Sequence, residues 1–360
     1  MNLLCIHLLN NYTGSPKVLA NIIKEFSLYK EFSISLLTSQ TDGCLSNIPN
    51  IHYYTNHYKW INNKLGLAIL FVSAQLYMFF FVLVHTKKFD VLYINTVVPF
   101  AVALAGVLAH KTIIYHVHEV YIHPNMFQKI MWRTMEKYAT KIITVSQYVG
   151  TNINRPTTVI YNATSRGFAK KAETYMQNMY AISDKFTQKT ILMVASLKKY
   201  KGIDIFVSLA QKCPEYSFFM VISSPLDDIT DYFAATRLPV NLQLLPQQAD
   251  LIPYYRNAAI VCNLSIPDLW IETFGLTLIE AFHFGIPCIA PDFGGPKEIL
   301  TNGVDGFLVN PCDEDTVANA IHAILASEEC YAQFCANALK VSQQFSIDFA
   351  IRQLIAVISE

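Results

Sequence analysis

Apolar and polar positions follow two rhythms along the first half of the chain. Short apolar runs of strand length fall at 3–9, 32–37, 91–95, 112–117, 142–145 and 159–161. Between them, at 17–28, 65–84, 98–109 and 126–139, apolar residues return every three or four positions, as on one face of a helix. Strand and helix in alternation predict a parallel sheet with right-handed crossovers, a Rossmann-like α/β domain. The rhythm breaks at 165–189, a polar stretch rich in Lys, Gln and Asn that reads as an interdomain connection with a partial helix. It resumes with strands at 191–195, 218–222, 242–245, 260–264, 288–290 and 307–309, which predicts a second domain of the same kind. From Glu314 onward the pattern is helical throughout.

Length agrees with this division, since 360 residues suit about two domains with a core each. The expected boundaries are 1–164 for the first domain, 165–189 for the connection, 190–345 for the second domain and 346–360 for a last helix. Formal charge is zero, with 27 cationic and 27 anionic side chains, so no global field draws nucleic acid, and none is expected as a partner. Eight cysteines without a CxxC pair point away from a metal site or a disulfide framework and toward a reducing, cytoplasmic setting. The start, Met1-Asn2-Leu3-Leu4-Cys5-Ile6, reads as a first strand rather than a signal peptide.

The run 65–84 carries no charge and reaches the roughly 20 residues that span a bilayer. Lys64, His85, Lys87 and Lys88 flank both ends, so charge sets no orientation. The run also lies where the alternating pattern needs a helix between strands. It is read as a buried or surface-docked helix, with a peripheral contact to lipid headgroups on the inner face of the membrane as a further expectation.

The densest chemistry lies in 269–300, LWIETFGLTLIEAFHFGIPCIAPDFGGPKEIL. Glu272 and Glu280 flank Phe274-Gly275-Leu276-Thr277, where a helical pattern begins and then runs to Gly285 and Pro287. A helix starting near Gly275 leaves the N–H groups of Gly275 to Thr277 as an anion site. Glu280 falls roughly 7 Å further along the axis, and Glu272 stays in the loop before it. That layout suits a diphosphate at the helix end with a polyol on each side, the shape of a nucleotide-sugar. Two solvated carboxylates flanking a helix are the plainer alternative.

Glu272-Thr-Phe-Gly-Leu, then Leu-Ile-Glu280-Ala, Gly285-Ile-Pro287, Gly294-Gly295, Glu298, Asn302-Gly303 and Asp305-Gly306-Phe307-Leu308-Val309 resemble the donor site of GT-B glycosyltransferases, above all glycosyltransferase family 4 with its Glu-x7-Glu pattern. The resemblance implies two Rossmann-like domains facing across a central cleft, with the last helix returning to the first domain. It also implies configuration-retaining, metal-independent transfer of a hexosyl group from a nucleotide-sugar.

Three further stretches carry candidates. Asn10-Asn11-Tyr12-Thr13-Gly14-Ser15-Pro16 follows the first strand, with Ser15 as a helix cap and Pro16 at the first helical position. A capped helix accounts for it, and the resemblance adds a glycine loop at Gly14 near donor phosphates or acceptor. Tyr115-His116-Val117-His118-Glu119 ends a strand, where open sheets bind ligands. Alternation sets both histidines on one face, and a core histidine is the default reading. The resemblance makes His118 a contact to the donor sugar. Ser196-Leu197-Lys198-Lys199-Tyr200-Lys201-Gly202 follows the first strand of the second domain. A solvated lysine cluster is the plain reading, and a phosphate contact the sharper one. The family pattern there is Gly-Arg-Leu and then Lys-Gly. Lys201-Gly202 agrees, whereas Ala195 and Ser196 replace the first glycine and the arginine, so Lys198 or Lys199 would supply the missing cation.

Together these imply a transferase acting on a saccharide or lipid-linked saccharide acceptor, in surface polysaccharide or glycan biosynthesis. Glu272 and His118 are expected to be catalytic. Glu280, Phe274, Gly275, Leu276, Thr277, Lys201, Ser196, Lys198, Gly14 and Ser15 would bind the donor, with no cofactor and no metal. A sugar-nucleotide epimerase and a catalytically silent GT-B binding subunit are the alternatives.

Overall fold

A computed structural model describes residues 1–178 and 181–359; Met179 and Tyr180, within the predicted connection, and Glu360 lie outside the described residues. The chain forms two compact units, Met1–Asn162 together with the segment from Ile347, and Ala163–Ser346. Each is a parallel sheet covered by helices, which is why their central strands read as continuous apolar runs rather than alternations.

The first unit holds β1 (Asn2–Ile6), β2 (Ser33–Ser39), β3 (His52–Asn56), β4 (Val91–Asn95), β5 (Thr112–Val117), β6 (Lys141–Thr144) and β7 (Thr158–Val159) in the order β3-β2-β1-β4-β5-β6-β7. The order reverses between β1 and β4, so their C-terminal ends splay apart into a crevice. Strand β3 escaped the sequence reading. It is an edge strand, paired with β2 through His52 opposite Ser35, and its sequence, His-Tyr-Tyr-Thr-Asn, lacks an aliphatic run. The last helix, Ile347–Ser359, packs beside the first, Gly14–Phe26, and Lys141 Nζ donates to the carbonyl of Val357 at 2.7 Å.

The uncharged run folds as the helix Lys64–Val84, started by Asn63, whose side chain accepts from Gly66 N at 2.9 Å. Only Ala74, Gln75, Met78, Phe81 and Val82 are buried, so the helix is docked on the surface and is not a core element. Gln75 pins it: Nε2 donates to the carbonyl of Val98 at 3.1 Å, and Oε1 accepts from Ala101 N at 3.2 Å.

The second unit holds β8 (Thr190–Ala195), β9 (Ser217–Ile222), β10 (Leu242–Leu245), β11 (Ala258–Cys262), β12 (Cys288–Pro291) and β13 (Gly306–Val309) in the order β10-β9-β8-β11-β12-β13. Its reversal lies between β8 and β11. The stretch 165–189, predicted as a connection with a partial helix, contains the helices Arg166–Met176 and Ala181–Gln188, both within this unit. Lys185 anchors the second of them: its buried ammonium donates to the carbonyl of Tyr255 at 2.8 Å, and burial pulls its pKa down to about 7.

Candidate active site

In the second unit the groups that matter gather at the reversal between β8 and β11. Beyond β11 come Asn263 and Ser265; beyond β8 a turn closes through Lys198 N donating to the carbonyl of Ser196 at 2.7 Å, and a single 3-10 turn, Lys199–Lys201, follows. Glu272 collects both sides. Its Oε2 accepts from Lys201 Nζ at 2.7 Å, from Asn263 Nδ2 at 3.1 Å and from Ser265 Oγ at 3.1 Å. Burial alone would raise the Glu272 pKa, but the Lys201 charge and these donors outweigh it and hold the carboxyl below its usual range. Glu272 is therefore ionised at neutral pH. Lys201 and Glu272 keep 22% and 16% of their side-chain surface exposed, so the pair stays in reach of a ligand.

The helix after Glu272 runs Leu276–His283, with Gly275 as N-cap at φ 107°. That dihedral lies in the region glycine alone enters readily, and no side chain caps the turn. The first N–H groups thus keep their partial positive charge for a ligand. Phe274 is buried, its ring edge-on to Phe345 at 5.9 Å, while Leu276 and Thr277 remain half-buried. Beneath this turn pass Gly294 and Gly295. A Cβ on Gly294 would meet the Glu272 carbonyl oxygen at 2.5 Å, one on Gly295 the Thr273 carbonyl oxygen at 2.3 Å, and Gly295 N donates to the Glu272 carbonyl at 2.9 Å.

Glu280 lies one helical turn inward and is 3% exposed. Its Oε2 accepts from the Tyr255 hydroxyl at 2.8 Å, and the Tyr255 ring stacks on Phe284 at 5.8 Å. Tyr255, Asn263 and Ser265 are not among the site residues expected from the sequence. Asn263-Leu-Ser265 directly beyond a central strand was the signal for two of them; Tyr255 sits in an ordinary helical pattern and gave none.

The first unit gathers its own cluster at the reversal between β1 and β4. Asn95, at the end of β4, accepts from His118 Nε2 through Oδ1 at 2.9 Å and donates from Nδ2 to His7 Nδ1 at 3.0 Å and to the carbonyl of Ser15 at 3.2 Å. Burial, then the neighbouring His116 and His7, lowers the His118 pKa well below its usual value, while burial brings His7 to about 4 and His116 to about 3. His116 and His118 do share a face, with ring centroids 4.4 Å apart. Glu119 turns back instead of outward: its carboxylate accepts from Val97 N at 2.8 Å and His118 N at 3.1 Å, and burial raises its pKa to about 7.

The loop after β1 differs from expectation. The helix begins at Gly14, the N-cap is Thr13 without a side-chain bond, and Ser15 does not cap. Asn11 is the cause: its Oδ1 accepts from both the backbone N (3.1 Å) and the hydroxyl (2.6 Å) of Thr13, which starts the helix early and leaves Pro16 in the third helical position. Lys198 is exposed beside the turn that Ser196 closes. Among the described residues no group of three His, Cys, Asp or Glu is arranged to hold a metal ion.

Two parallel-sheet α/β units with these reversals have the architecture of the GT-B glycosyltransferases, and solved structures match over the full chain. Anabaena HepE in complex with UDP-glucose superposes with a TM-score of 0.78 at 21% identity, covering 100% of this chain and 99% of that one. Sucrose-phosphate synthase from Thermosynechococcus elongatus superposes with a TM-score of 0.79 at 17% identity, covering 100% and 98%. Residues 179–341 match the family model described as glycosyl transferases group 1. In sequence, a probable sucrose-phosphate synthase of Solanum tuberosum is 39% identical over 100 residues, which is 28% of this chain and 10% of that protein. The chain thus has the GT-B fold, and most of its second unit is similar in sequence to the group 1 glycosyl transferases.

Proposed function

We propose that the protein is a retaining, metal-independent glycosyltransferase of family 4 type, moving a hexosyl group from a nucleotide-sugar to a saccharide or lipid-linked saccharide acceptor. The observation that carries the reading is the Lys201–Glu272 pair at 2.7 Å beside the uncapped N-terminus of the helix Leu276–His283. A cation and a helix end there suit a diphosphate, and a carboxylate next to them suits sugar hydroxyls. That HepE was crystallised with UDP-glucose supports the same donor class for this fold.

In this reading the incoming diphosphate takes over the Lys201 charge. Lys201 and the N–H groups from Gly275 to Thr277 then stabilise the negative charge that grows on the leaving group. Glu272, whose Oε1 makes none of the bonds described above, binds sugar hydroxyls and fixes the anomeric carbon. Glu280, held by Tyr255, accepts from the ribose. In the first unit His118, neutral and with Nε2 donating to Asn95, would accept at Nδ1 from a carbohydrate hydroxyl rather than give a proton to a leaving group. A role in surface polysaccharide or glycan synthesis, at the cytoplasmic face of a membrane, fits a lipid-linked acceptor.

The deciding experiment is a panel of nucleotide-sugars scored first by thermal shift and then by acceptor-dependent nucleotide release. A donor that raises the melting temperature and releases nucleotide only with acceptor supports transfer. Binding without acceptor-dependent release under any condition would leave a silent binding subunit, and interconversion of the sugar without release would mean an epimerase.

A further inference from the structure

The helix Lys64–Val84 has an outer face as apolar as its inner one. Leu65, Ile69, Val72, Leu76 and Phe80 are 73%, 61%, 53%, 55% and 59% exposed, and their spacing lines them up along about 22 Å of one side. A surface helix of a soluble domain places charged side chains there. Here the exposed hydroxyl of Ser73 is turned back onto the helix, donating to the carbonyl of Leu70 at 3.0 Å. The stripe continues onto the helix Met126–Tyr138. Phe127 meets Phe71 at 5.2 Å and Phe100 at 5.8 Å, and Met126 and Ile130 are exposed beside it. An exposed apolar patch of this extent marks an interaction surface.

Charge selects the partner. The whole chain is neutral, yet residues 43–118 contain five lysines (Lys59, Lys64, Lys87, Lys88 and Lys111) against one carboxylate, Asp90. Asp90 is already engaged by Asn2 N at 2.7 Å. Lys59 and Lys64 stand at one end of the stripe and Lys87 and Lys88 at the other, all exposed. Lys129 and Arg133 line a cavity of about 260 Å³ next to Met126–Tyr138 with Tyr121, Trp132 and one carboxylate, Glu136, which accepts from Asn154 N at 2.8 Å, so the recess carries a net cationic lining.

We propose that this face docks on an anionic phospholipid bilayer, with the helix lying in the interfacial plane, the stripe in the acyl boundary and the lysines at headgroup phosphates. Crossing the bilayer would strip the Gln75 bonds and the buried inner face from the unit. Pairing with a second copy would set lysine ends against lysine ends in either direction. The inference stands apart from the transferase reading.

The test is co-sedimentation of the full chain with vesicles of phosphatidylcholine alone or with roughly a third phosphatidylglycerol, where electrostatic attraction to lipid is on the order of 1 kcal/mol per lysine. Binding is expected to the anionic vesicles and to be at least about tenfold weaker on neutral ones. The doubly substituted variant Leu76→Glu/Phe80→Glu should lose binding to both, and Lys87→Glu/Lys88→Glu should lose the preference for anionic lipid. Both variants should keep the wild-type melting temperature, because all four side chains are exposed. No binding by the wild type, or equal binding by the Leu76→Glu/Phe80→Glu variant, would overturn the proposal. So would a wild-type dimer in light scattering that this variant dissolves, which would give the face to a second copy.

Discussion

Lys201 and Glu272 stand 71 positions apart in the chain and 2.7 Å apart in space, closing the crevice between β8 and β11 from both sides. A pair joined this way gives each member a measurable effect on the other.

Replacing Lys201 with Ala should lower turnover at least about tenfold, roughly 1.4 kcal/mol of barrier. Lys201 is also the leading influence that lowers the Glu272 pKa against its burial. Its removal should let that pKa rise, so the acid limb of the kcat/KM profile should move to higher pH. An unchanged rate and profile would move the phosphate contact to Lys198 or Lys199.

The two carboxylates should separate in kinetics. Glu280→Gln weakens a ground-state contact that persists in the transition state, so donor KM should rise with kcat nearly kept. Tyr255→Phe should reproduce this more mildly, about threefold, because it removes one hydrogen bond to the carboxylate and leaves the carboxylate itself in place. Glu272→Gln should instead lower kcat, since placement of the sugar matters most as the anomeric centre becomes cationic. Donor titrations of the three variants check the split. Identical constants throughout would return both glutamates to plain helix-flanking residues.

Stability should carry the imprint of Glu119. Its folded pKa, about 7, lies above the ordinary value of 4.5. The folded state therefore holds this proton longer than the unfolded one. The associated stability is full below the unfolded pKa and is lost as pH rises through about 7, a change on the order of 1–3 kcal/mol. Buried His7, His116 and His118, whose folded pKa values are depressed, add an opposite, rising contribution to both proteins. The readout is therefore the difference between the two melting temperatures. The stability of wild type relative to Glu119→Gln should fall by that amount between about pH 4.5 and 7. Parallel curves would mean that Glu119 is ionised throughout.

The helix Lys64–Val84 is long and apolar enough to cross a membrane, yet Ala74, Gln75, Met78, Phe81 and Val82 are buried against the unit. Alkaline carbonate should accordingly strip the protein from membranes. Retention in the pellet would favour a deeply inserted segment.

How much of this was legible depended on where the physics was local. Both parallel sheets could be read, because doubly covered strands need uninterrupted apolar runs and crossovers need helices. Strand β3 could not, since an edge strand paired on one side tolerates His52 and Asn56. The helix starting near Gly275 was visible from its breaker and its periodic face. The Lys201–Glu272 pair was not, because ion pairing across 71 positions leaves no trace in spacing. Ser15 was misjudged as a cap because Asn11, four residues earlier, competes for the same helix end.

The two glycines that pass beneath Glu272 and Thr273 bear on how donor preference could be re-engineered. Their contacts are to backbone oxygens, at 2.5 Å and 2.3 Å for an added Cβ, and a main chain cannot swing aside as a long side chain can. Grafting only the carboxylate loop from a protein with another sugar preference would change the roof without its floor. Chimeras should therefore exchange the segments around Glu272 and around Gly294-Gly295 as one cassette, and either segment moved singly should give misfolded protein rather than altered specificity.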